Sequence, residues 1–301
     1  MINNALKTKL EAAGFKFRTF KIEHLEEIST VFSDLAEQGV LDMDFYRDNL
    51  TNFNFSCKNM MDNPKSVIVM ASPQHKSFVE FRYEGKPYEA VIPPIYMYPE
   101  ISNKITDILN SVFTGSGFSF TKPVLPLKLL AVKSGLGKYG RNNLCYVPGM
   151  GSFVRLNAYI TDYEFEEDSW GDVQVLESCK SCIACIRSCP TGAIANDRFL
   201  IRAQKCITNF NEYDVPMPDW MKPDWHNSVV GCMKCQAACP HNSSFIDMVD
   251  ERIFFNTEES KLILNGCAFD NLPQETRSKL SNSGLEDYYH VLSRNMRLLM
   301  D

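Results

Sequence analysis

Cys179-Lys-Ser-Cys182-Ile-Ala-Cys185-Ile-Arg-Ser-Cys189-Pro190 is the stretch of this 301-residue sequence that decides the architecture of its last third. A second, shorter run follows at Cys232-Met-Lys-Cys235-Gln-Ala-Ala-Cys239-Pro240, and Cys206 lies between the two runs. Runs of this spacing are typical of [4Fe–4S] ligation, because tight turns bring three thiolates to one cluster and the fourth comes from elsewhere. Eight of the eleven cysteines therefore predict two [4Fe–4S] clusters.

The order of the cysteines also predicts how they are shared. In bacterial two-cluster ferredoxins the cysteine before the proline binds the other cluster. Applied to this sequence, that crossing assigns cluster one to Cys179, Cys182, Cys185 and Cys239. It assigns cluster two to Cys189, Cys206, Cys232 and Cys235, so that Cys206 fills the place that the shorter run lacks.

Zinc is the alternative for these cysteines, because paired C-x2-C turns bind it tetrahedrally. The continuous first run is not a zinc spacing, and neither run has the C-x3-C-x2-C spacing of radical enzymes that cleave S-adenosylmethionine. We therefore expect clusters that transfer electrons. The remaining cysteines, Cys57, Cys145 and Cys267, have no partners in spacing and are predicted to be buried free thiols.

The composition is that of an ordinary globular protein, with 45% hydrophobic and 23% charged residues. A net charge of −6 argues against a surface that coats nucleic acid. The sequence has no apolar run of about 18 residues and no signal-peptide core at its start, so no membrane association is expected. We expect a cytoplasmic protein, whose clustered cysteines serve as metal ligands rather than as disulfides.

The hydrophobic pattern predicts an α+β fold. Helices are predicted at 1–14, 23–38, 101–113 and 127–134, and strands at 66–72, 78–83, 88–92, 144–147 and 153–160. The acidic stretch 164–177 is typical of a solvated linker. We predict an α/β core over 1–165, a double-cluster, ferredoxin-like domain over 166–250, and a C-terminal helical segment over 251–301.

One stretch of the core has an unusual charge. Residues 108–161 contain no Asp or Glu but six basic residues, which are Lys122, Lys128, Lys133, Lys138, Arg141 and Arg155. Its centre is Gly135-Leu-Gly-Lys-Tyr-Gly-Arg-Asn142, and glycines beside cations suit the close approach of a large, phosphate-bearing ligand. The alternative is a glycine-rich turn between a helix and a strand. The stretch matches neither the dinucleotide fingerprint nor the P-loop.

Taken together, these regions resemble the epoxyqueuosine reductase family, whose members are cobalamin-dependent double [4Fe–4S] cluster proteins related to reductive dehalogenases. The resemblance covers about residues 60–245 and is carried by five segments: Asn63-Pro-Lys-Ser-Val-Ile-Val-Met70, Ala131-Val-Lys-Ser-Gly-Leu-Gly-Lys-Tyr-Gly-Arg-Asn142, Gly151-Ser-Phe-Val-Arg155, Cys189-Pro-Thr-Gly-Ala-Ile194 and Gly231-Cys-Met-Lys-Cys-Gln236. It implies a nitroreductase-like N-terminal core that binds cobalamin. The implied corrinoid-binding residues are Gly135, Gly137, Gly140, Arg141 and Asn142.

The sequence also departs from the family pattern. Family reductases carry an Asp, thought to protonate the substrate, three residues before the proline that matches Pro123, and here that position is Phe120. The proton donor is therefore expected among Tyr96, Tyr98, Tyr139 and Lys133. The chain also ends without the C-terminal helical-repeat extension of many tRNA-acting members.

These features lead to one preferred function and two alternatives. The preferred function is an iron–sulfur oxidoreductase that passes electrons to bound cobalamin and reduces an unidentified small-molecule or protein substrate. It takes electrons from a donor such as ferredoxin or flavodoxin, and tRNA is not expected as a partner. The first alternative is a ferredoxin-type electron carrier, or a reductive activator of a corrinoid protein. The second is a tRNA epoxyqueuosine reductase, which would bind tRNA through the basic stretch in a salt-sensitive way.

Overall fold

The computed structural model describes residues 2–57, 59–96 and 99–300. Its helices are α1 (Ile2–Ala12), α2 (His24–Glu37), α3 (Met43–Phe45), α4 (Pro99–Phe113), α5 (Leu127–Lys133), α6 (Ala184–Ser188), α7 (Ile207–Glu212), α8 (Lys234–Ala237), α9 (Thr257–Leu264), α10 (Gln274–Asn282) and α11 (Tyr289–Leu298). Its strands are β1 (Lys16–Lys21), β2 (Ser66–Pro73), β3 (Lys76–Tyr83), β4 (Lys86–Ile92), β5 (Phe120–Thr121), β6 (Lys138–Tyr139), β7 (Cys145–Tyr146), β8 (Val154–Thr161) and β9 (Val249–Phe255). The predicted α+β class is confirmed.

The chain divides into two compact units. The first unit contains the residues up to Pro73 together with Ser102–Cys182, and the second contains Gln74–Ile101 together with the residues from Ile183 onward. This division differs from the predicted one, which placed the first boundary at residue 165 and kept the hairpin of β3 and β4 in the N-terminal core. Among the described helices, none has the length and apolar character needed to cross a membrane.

The first unit is built on a four-stranded sheet in the order β1-β2-β8-β5, with all neighbours antiparallel. The central strand β2 is apolar from Val67 to Ala71 because both of its faces are covered, and each of these residues has no exposed surface. Alternate residues of β8, such as Leu156 and Ala158, join α2 and α5 in the main hydrophobic core. The intervening residues of β8, which include Asn157 and Tyr159, face the opposite side of the sheet.

The acidic stretch predicted as a linker is packed in the first unit. The amide of Gly171 donates to the carbonyl oxygen of Lys133 at 2.8 Å. The indole of Trp170 stacks on the imidazole of His24 with ring centroids 4.5 Å apart. Backbone hydrogen bonds and an aromatic contact hold this stretch in place, whereas most of its acidic side chains face solvent. The acidic residues of this stretch therefore mark a solvent-facing surface and not a flexible linker.

The second unit contains a three-stranded sheet in the order β4-β3-β9. Strands β3 and β4 form the predicted hairpin, and β9 adds to β3 in parallel from the far end of the chain. Helices α9 to α11 contribute Ile263, Leu264, Leu280, Leu292 and Met296 to the core on this sheet. Helix α9 begins with a capping box, in which Asn256 and Glu259 satisfy each other's backbone amides. Glu259 is almost fully buried, and it also accepts hydrogen bonds from Thr276 and Lys279.

Candidate metal centre

The first cysteine run is divided between the two units. The boundary falls after Cys182, so Cys179 and Cys182 belong to the first unit and the other six predicted ligands belong to the second. Cys179 lies in a 3₁₀ turn over Glu177–Lys180. In the same unit, the guanidinium of Arg141 donates to the carbonyl oxygen of Cys179, with Nε at 3.2 Å. The basic stretch thus fixes the backbone at the start of the first run.

Four of the predicted ligands converge in the second unit. Burial is the main cause that raises the pKa of the Cys232 thiol to about 12, and the nearby Cys206 and Cys189 contribute to this increase because like charges repel. Burial raises the pKa of Cys235 well above its ordinary value, and Cys232, Cys206, Cys189 and Cys185 contribute. A cationic iron cluster removes this penalty, because thiolates bound to metal are stable as anions. The assignment of Cys189, Cys206, Cys232 and Cys235 to one cluster thus fits their placement, and it remains a prediction.

The loop that carries Cys232 is held from several sides. Gly231 has φ +64°, and a Cβ at this position would lie 2.4 Å from the hydroxyl oxygen of Tyr96. The amide of Asn211 donates to the carbonyl oxygen of Gly231 at 2.9 Å. Asn295 in turn donates to the carbonyl oxygen of Asn211 at 2.9 Å. These contacts order the loop through protein groups alone.

The described side chains do not form a site for a single metal ion. Within the described parts of the chain, no three His, Cys, Asp or Glu side chains are grouped closely enough to hold one metal ion. The thiolates around a four-iron cluster stand farther apart than the ligands of a single ion, because each binds a different iron.

Cys57 and Cys145 are buried free thiols as predicted, and burial raises their pKa values to about 11 and about 12. Cys267 is free but only partly buried, which corrects the prediction.

The glycines of the basic stretch have packing roles of their own. Gly135 follows α5 with φ +72°, and no atom lies within 4 Å of the place that a Cβ would take there. At Gly137 a Cβ would lie 2.6 Å from the Sγ atom of Cys145 and 2.8 Å from the carbonyl oxygen of Tyr146. At Gly140 a Cβ would lie 2.4 Å from the ring of Tyr146. The hairpin of β6 and β7 therefore requires glycine at two of these positions, as the turn alternative expects.

The two polar residues of the same motif also have internal partners. Arg141 binds the first cysteine run as described above. Asn142 is buried, and its Nδ2 atom donates to the hydroxyl oxygen of Tyr146 at 3.1 Å. The roles of Gly135, Gly137, Gly140, Arg141 and Asn142 in corrinoid binding stay predictions.

The predicted proton donors are held in structural contacts. Tyr96 is buried in the second unit, and its hydroxyl donates to Glu212. Lys133 forms an ion pair with Glu27 and lies over the indole of Trp170, 5.2 Å from its centroid. Burial raises the pKa values of both Tyr96 and Tyr139. Tyr98 lies outside the described residues.

Phe120, at the position of the family's Asp, is a packing residue. It lies on β5 opposite Thr161. Its ring packs against those of Tyr159 and Phe113, with centroids 5.9 and 5.6 Å away. No carboxylate is present between residues 108 and 161 that could replace the missing acid in this stretch.

Two buried amides indicate sites for a polar ligand that sequence reasoning missed. Asn157 in the first unit and Gln74 in the second are 1% and 2% exposed. Both polar atoms of each side chain have no hydrogen-bond partner among the described residues. Buried polar groups are nearly always paired, so unpaired amides favour a bound ligand with its own donors and acceptors. Cobalamin would satisfy either amide taken by itself, because carboxamide groups surround its corrin ring. No sequence signal singled out either residue, since both lie in or beside apolar strands.

Known proteins resemble this chain over much of its length. Residues 178–242 match the 4Fe-4S double cluster binding domain. An epoxyqueuosine reductase of Staphylococcus aureus is 30% identical over 164 residues, which are 54% of this chain and 38% of that protein. That of Leadbetterella byssophila is 30% identical over 200 residues, 62% of this chain and 61% of that protein. The matched regions thus span less than two thirds of these relatives. The predictions of two clusters and of a resemblance to this family are confirmed.

Solved structures share the fold. The structure of epoxyqueuosine reductase from Streptococcus thermophilus matches 99% of this chain and 80% of its own, with a TM-score of 0.71 and 17% identity. An epoxyqueuosine reductase crystallised with an epoxyqueuosine-modified tRNA-Tyr stem loop matches 100% of this chain and 82% of its own, with a TM-score of 0.68 and 18% identity.

These comparisons correct two predictions. The prediction of an unidentified substrate is wrong, because the relatives are named for epoxyqueuosine reduction. The prediction that tRNA is not a partner is wrong as well, because this chain matches epoxyqueuosine reductases and one such protein was crystallised with an epoxyqueuosine-modified tRNA stem loop. Both predictions gave too much weight to Phe120.

Proposed function

We propose that this chain, which resembles the epoxyqueuosine reductases in sequence and fold, reduces epoxyqueuosine in tRNA with two [4Fe–4S] clusters and a bound cobalamin. Removal of the epoxide oxygen consumes two electrons and two protons, and it yields queuosine and water. The electrons come from an external donor such as ferredoxin or flavodoxin.

The observation that carries this proposal is the joint occurrence of two features in one chain. Cys189, Cys206, Cys232 and Cys235 lie close together in the second unit, within the segment that matches a double-cluster domain. The same chain matches proteins named for epoxyqueuosine reduction beyond that segment. An electron carrier alone would not explain the second feature, because the matched regions are larger than the cluster domain.

The protein's own residues would act at three points. The eight cysteines would hold the clusters, which supply electrons one at a time when bound. The Asn157 amide of the first unit would hold a carboxamide group of cobalamin, which supplies a strongly reducing cobalt centre when bound. The ordered loop at Gly231 would keep Cys232 in place without reorganisation, because its backbone is already fixed by Asn211.

The proton donor differs from that of the family. Phe120 cannot donate, and burial moves the pKa values of Tyr96 and Tyr139 upward, away from the range suited to a general acid near neutral pH. We expect Tyr139→Phe and Tyr98→Phe to retain turnover if a group outside this set, or a water molecule, delivers the proton. A fall in turnover of about a hundredfold or more, which is the smallest usual effect of a general acid, would identify the donor.

The experiment uses the full chain, purified without oxygen and supplied with iron, sulfide and cobalamin. It is incubated with an epoxyqueuosine-containing tRNA stem loop and a chemical reductant, and the nucleosides are then separated by mass. Conversion of epoxyqueuosine to queuosine supports the proposal. Unchanged epoxyqueuosine, with eight irons and one cobalt bound per chain, would contradict it. Omission of cobalamin tests whether that cofactor is required.

A further inference from the structure

An apolar side chain is exposed within the first cysteine run. Ile183 lies between Cys182 and Cys185 in the sequence, and both of these cysteines are predicted ligands of cluster one. Ile183 is 37% exposed, although isoleucine is one of the residues most often buried. A partner that covers Ile183 therefore comes close to two ligands of one cluster, and electron transfer is faster over shorter distances.

A cation lies beside this isoleucine. The amide of Arg187 donates to the carbonyl oxygen of Ile183 at 3.1 Å, which is the hydrogen bond of one helical turn. Residues four apart on a helical turn are neighbours on its surface, so the two side chains share one face at the start of α6. Arg187 is exposed, and it forms no ion pair with a carboxylate among the described residues.

Neighbouring segments of the second unit add positive charge. Helix α8, which begins with Lys234, packs against α6. Lys234 also has no carboxylate partner in the described part of the chain. Residues 183–211 contain four basic residues and one acidic residue, in a chain with a net charge of −6. That acid, Asp197, pairs with Arg202 at 3.1 Å. An exposed apolar residue thus lies in a region with surplus positive charge.

These features suit an acidic electron carrier. Electron-transfer complexes are small and transient, and opposite charges at their rims speed the encounter of the two proteins. Apolar residues at the centre of such an interface exclude water between the partners. Positive charge also attracts RNA, but an isoleucine offers no ring on which a base can stack and no hydrogen bond to a base edge. An acidic protein fits both the charge and the apolar residue.

We propose that Ile183, Arg187 and Lys234 form the docking surface for an acidic electron-donor protein, whose redox group faces Ile183. This inference deepens the proposed function and rests on it for the need of an external donor. Each encounter oxidises the donor by one electron and reduces one cluster by one electron, and no proton moves in this step. Two encounters supply the two electrons that removal of the epoxide oxygen consumes.

The first test measures binding and needs no turnover. The full chain with its clusters is mixed with an oxidised, acidic [4Fe–4S] ferredoxin, and the association and dissociation rates are recorded. Arg187→Glu is compared with Lys86→Glu, which makes the same change of charge at an exposed lysine of β4. We expect Arg187→Glu to slow association by about tenfold at low salt, which is within the usual range of electrostatic steering. Arg187→Lys and Lys86→Glu should keep the wild-type rate.

Salt and a second position make this test more specific. The difference between Arg187→Glu and the wild-type chain should vanish near about 1 M salt, where screening limits charges to a range of about 3 Å. Ile183→Ser should raise the dissociation rate and leave association unchanged, because it removes an apolar contact and no charge. Arg187→Gln is a milder change that should slow association in the same direction as Arg187→Glu. Equal association rates for Arg187→Glu, Arg187→Gln and Lys86→Glu would overturn the proposal.

The second test follows reduction of the clusters by visible absorbance. Reduced ferredoxin is compared with photoreduced deazariboflavin, a small uncharged reductant that needs no docking surface. We expect Arg187→Glu to slow reduction by ferredoxin and to leave reduction by deazariboflavin unchanged. Slower reduction by both reagents would place the defect in the clusters and overturn the docking role.

An unmodified tRNA stem loop distinguishes the competing occupant. If Arg187→Glu weakens binding of the stem loop and leaves ferredoxin binding unchanged, the surface binds RNA and the proposal is overturned. None of these measurements requires epoxyqueuosine. A chain that shows the expected ferredoxin response but converts no epoxyqueuosine would therefore refute the proposed function and support the docking surface.

Discussion

Replacement of Gly137 by alanine should destabilise the first unit by about 2–3 kcal/mol, near the upper end of the usual effect of overpacking. The added Cβ would lie 2.6 Å from the Sγ atom of Cys145 and 2.8 Å from the carbonyl oxygen of Tyr146. The thiol can rotate away, but the carbonyl belongs to the backbone of the β6–β7 hairpin. The hairpin must therefore shift as a whole.

Gly135→Ala is the matched control for this prediction. Gly135 also belongs to the predicted corrinoid-binding motif, but no atom lies within 4 Å of a Cβ added there. Its only penalty is the left-handed backbone with φ +72°, which costs a non-glycine residue about 1 kcal/mol. The two variants thus separate a steric requirement from a conformational one at neighbouring positions.

The assay is thermal unfolding of the cofactor-free chain, supported by hydrogen exchange of peptides from residues 127–147. For a unit of this size, about 1 kcal/mol shifts the melting temperature by roughly 2–4 °C. Gly137→Ala should lower it by roughly 4–12 °C and increase exchange in the hairpin, whereas Gly135→Ala should lower it by roughly 2–4 °C. If both variants keep wild-type stability and lose only cobalamin affinity, the packing explanation of this glycine is refuted.

Three further predictions concern other parts of the molecule. Glu259→Gln should lower the free energy of unfolding by about 1.5–3 kcal/mol in urea titrations, because a buried carboxylate that accepts charged hydrogen bonds is lost; an unchanged midpoint would contradict this. The bond from Lys133 lowers the pKa of Glu27, so this pair stabilises the protein above the ordinary pKa of 4.5 and its contribution is lost as the pH falls through the lowered value. Glu27→Gln should therefore flatten the acid limb of the stability profile, and an identical limb would exclude the pair as its cause. Cys206→Ser should reduce bound iron from about eight to about four per chain, while Cys267→Ser should leave it unchanged; equal iron in both variants would refute the assignment of Cys206.

Local sequence patterns predicted most of the elements. The helices α1, α2, α4 and α5 and the strands β2 and β8 lie within a few residues of their predicted positions. Apolar periodicity and glycine stops encode such elements within a short window. The edge strand β1 was not predicted, because its alternating charged residues face solvent and leave a weak apolar signal.

Local sequence patterns did not predict features that depend on contacts between distant parts of the chain. The hairpin of β3 and β4 was predicted, but its membership in the second unit depends on pairing with β9, far along the chain. The cysteine spacing predicted the clusters because ligand geometry is encoded in short runs. The buried amide of Asn157, which has no partner among the described residues, was not predicted, because an asparagine inside an apolar strand gives no sign of whether its amide is paired.

The pairing of β3 with β9 can form only late in synthesis, because the two strands lie far apart in the chain. At roughly 5–20 residues per second, the ribosome needs on the order of ten to thirty seconds to add the segment between Tyr83 and Val249. Through that interval β3 has an open edge, while both cysteine runs are added to the chain. The domain that holds the metal therefore reaches its final form only after β9 has been made.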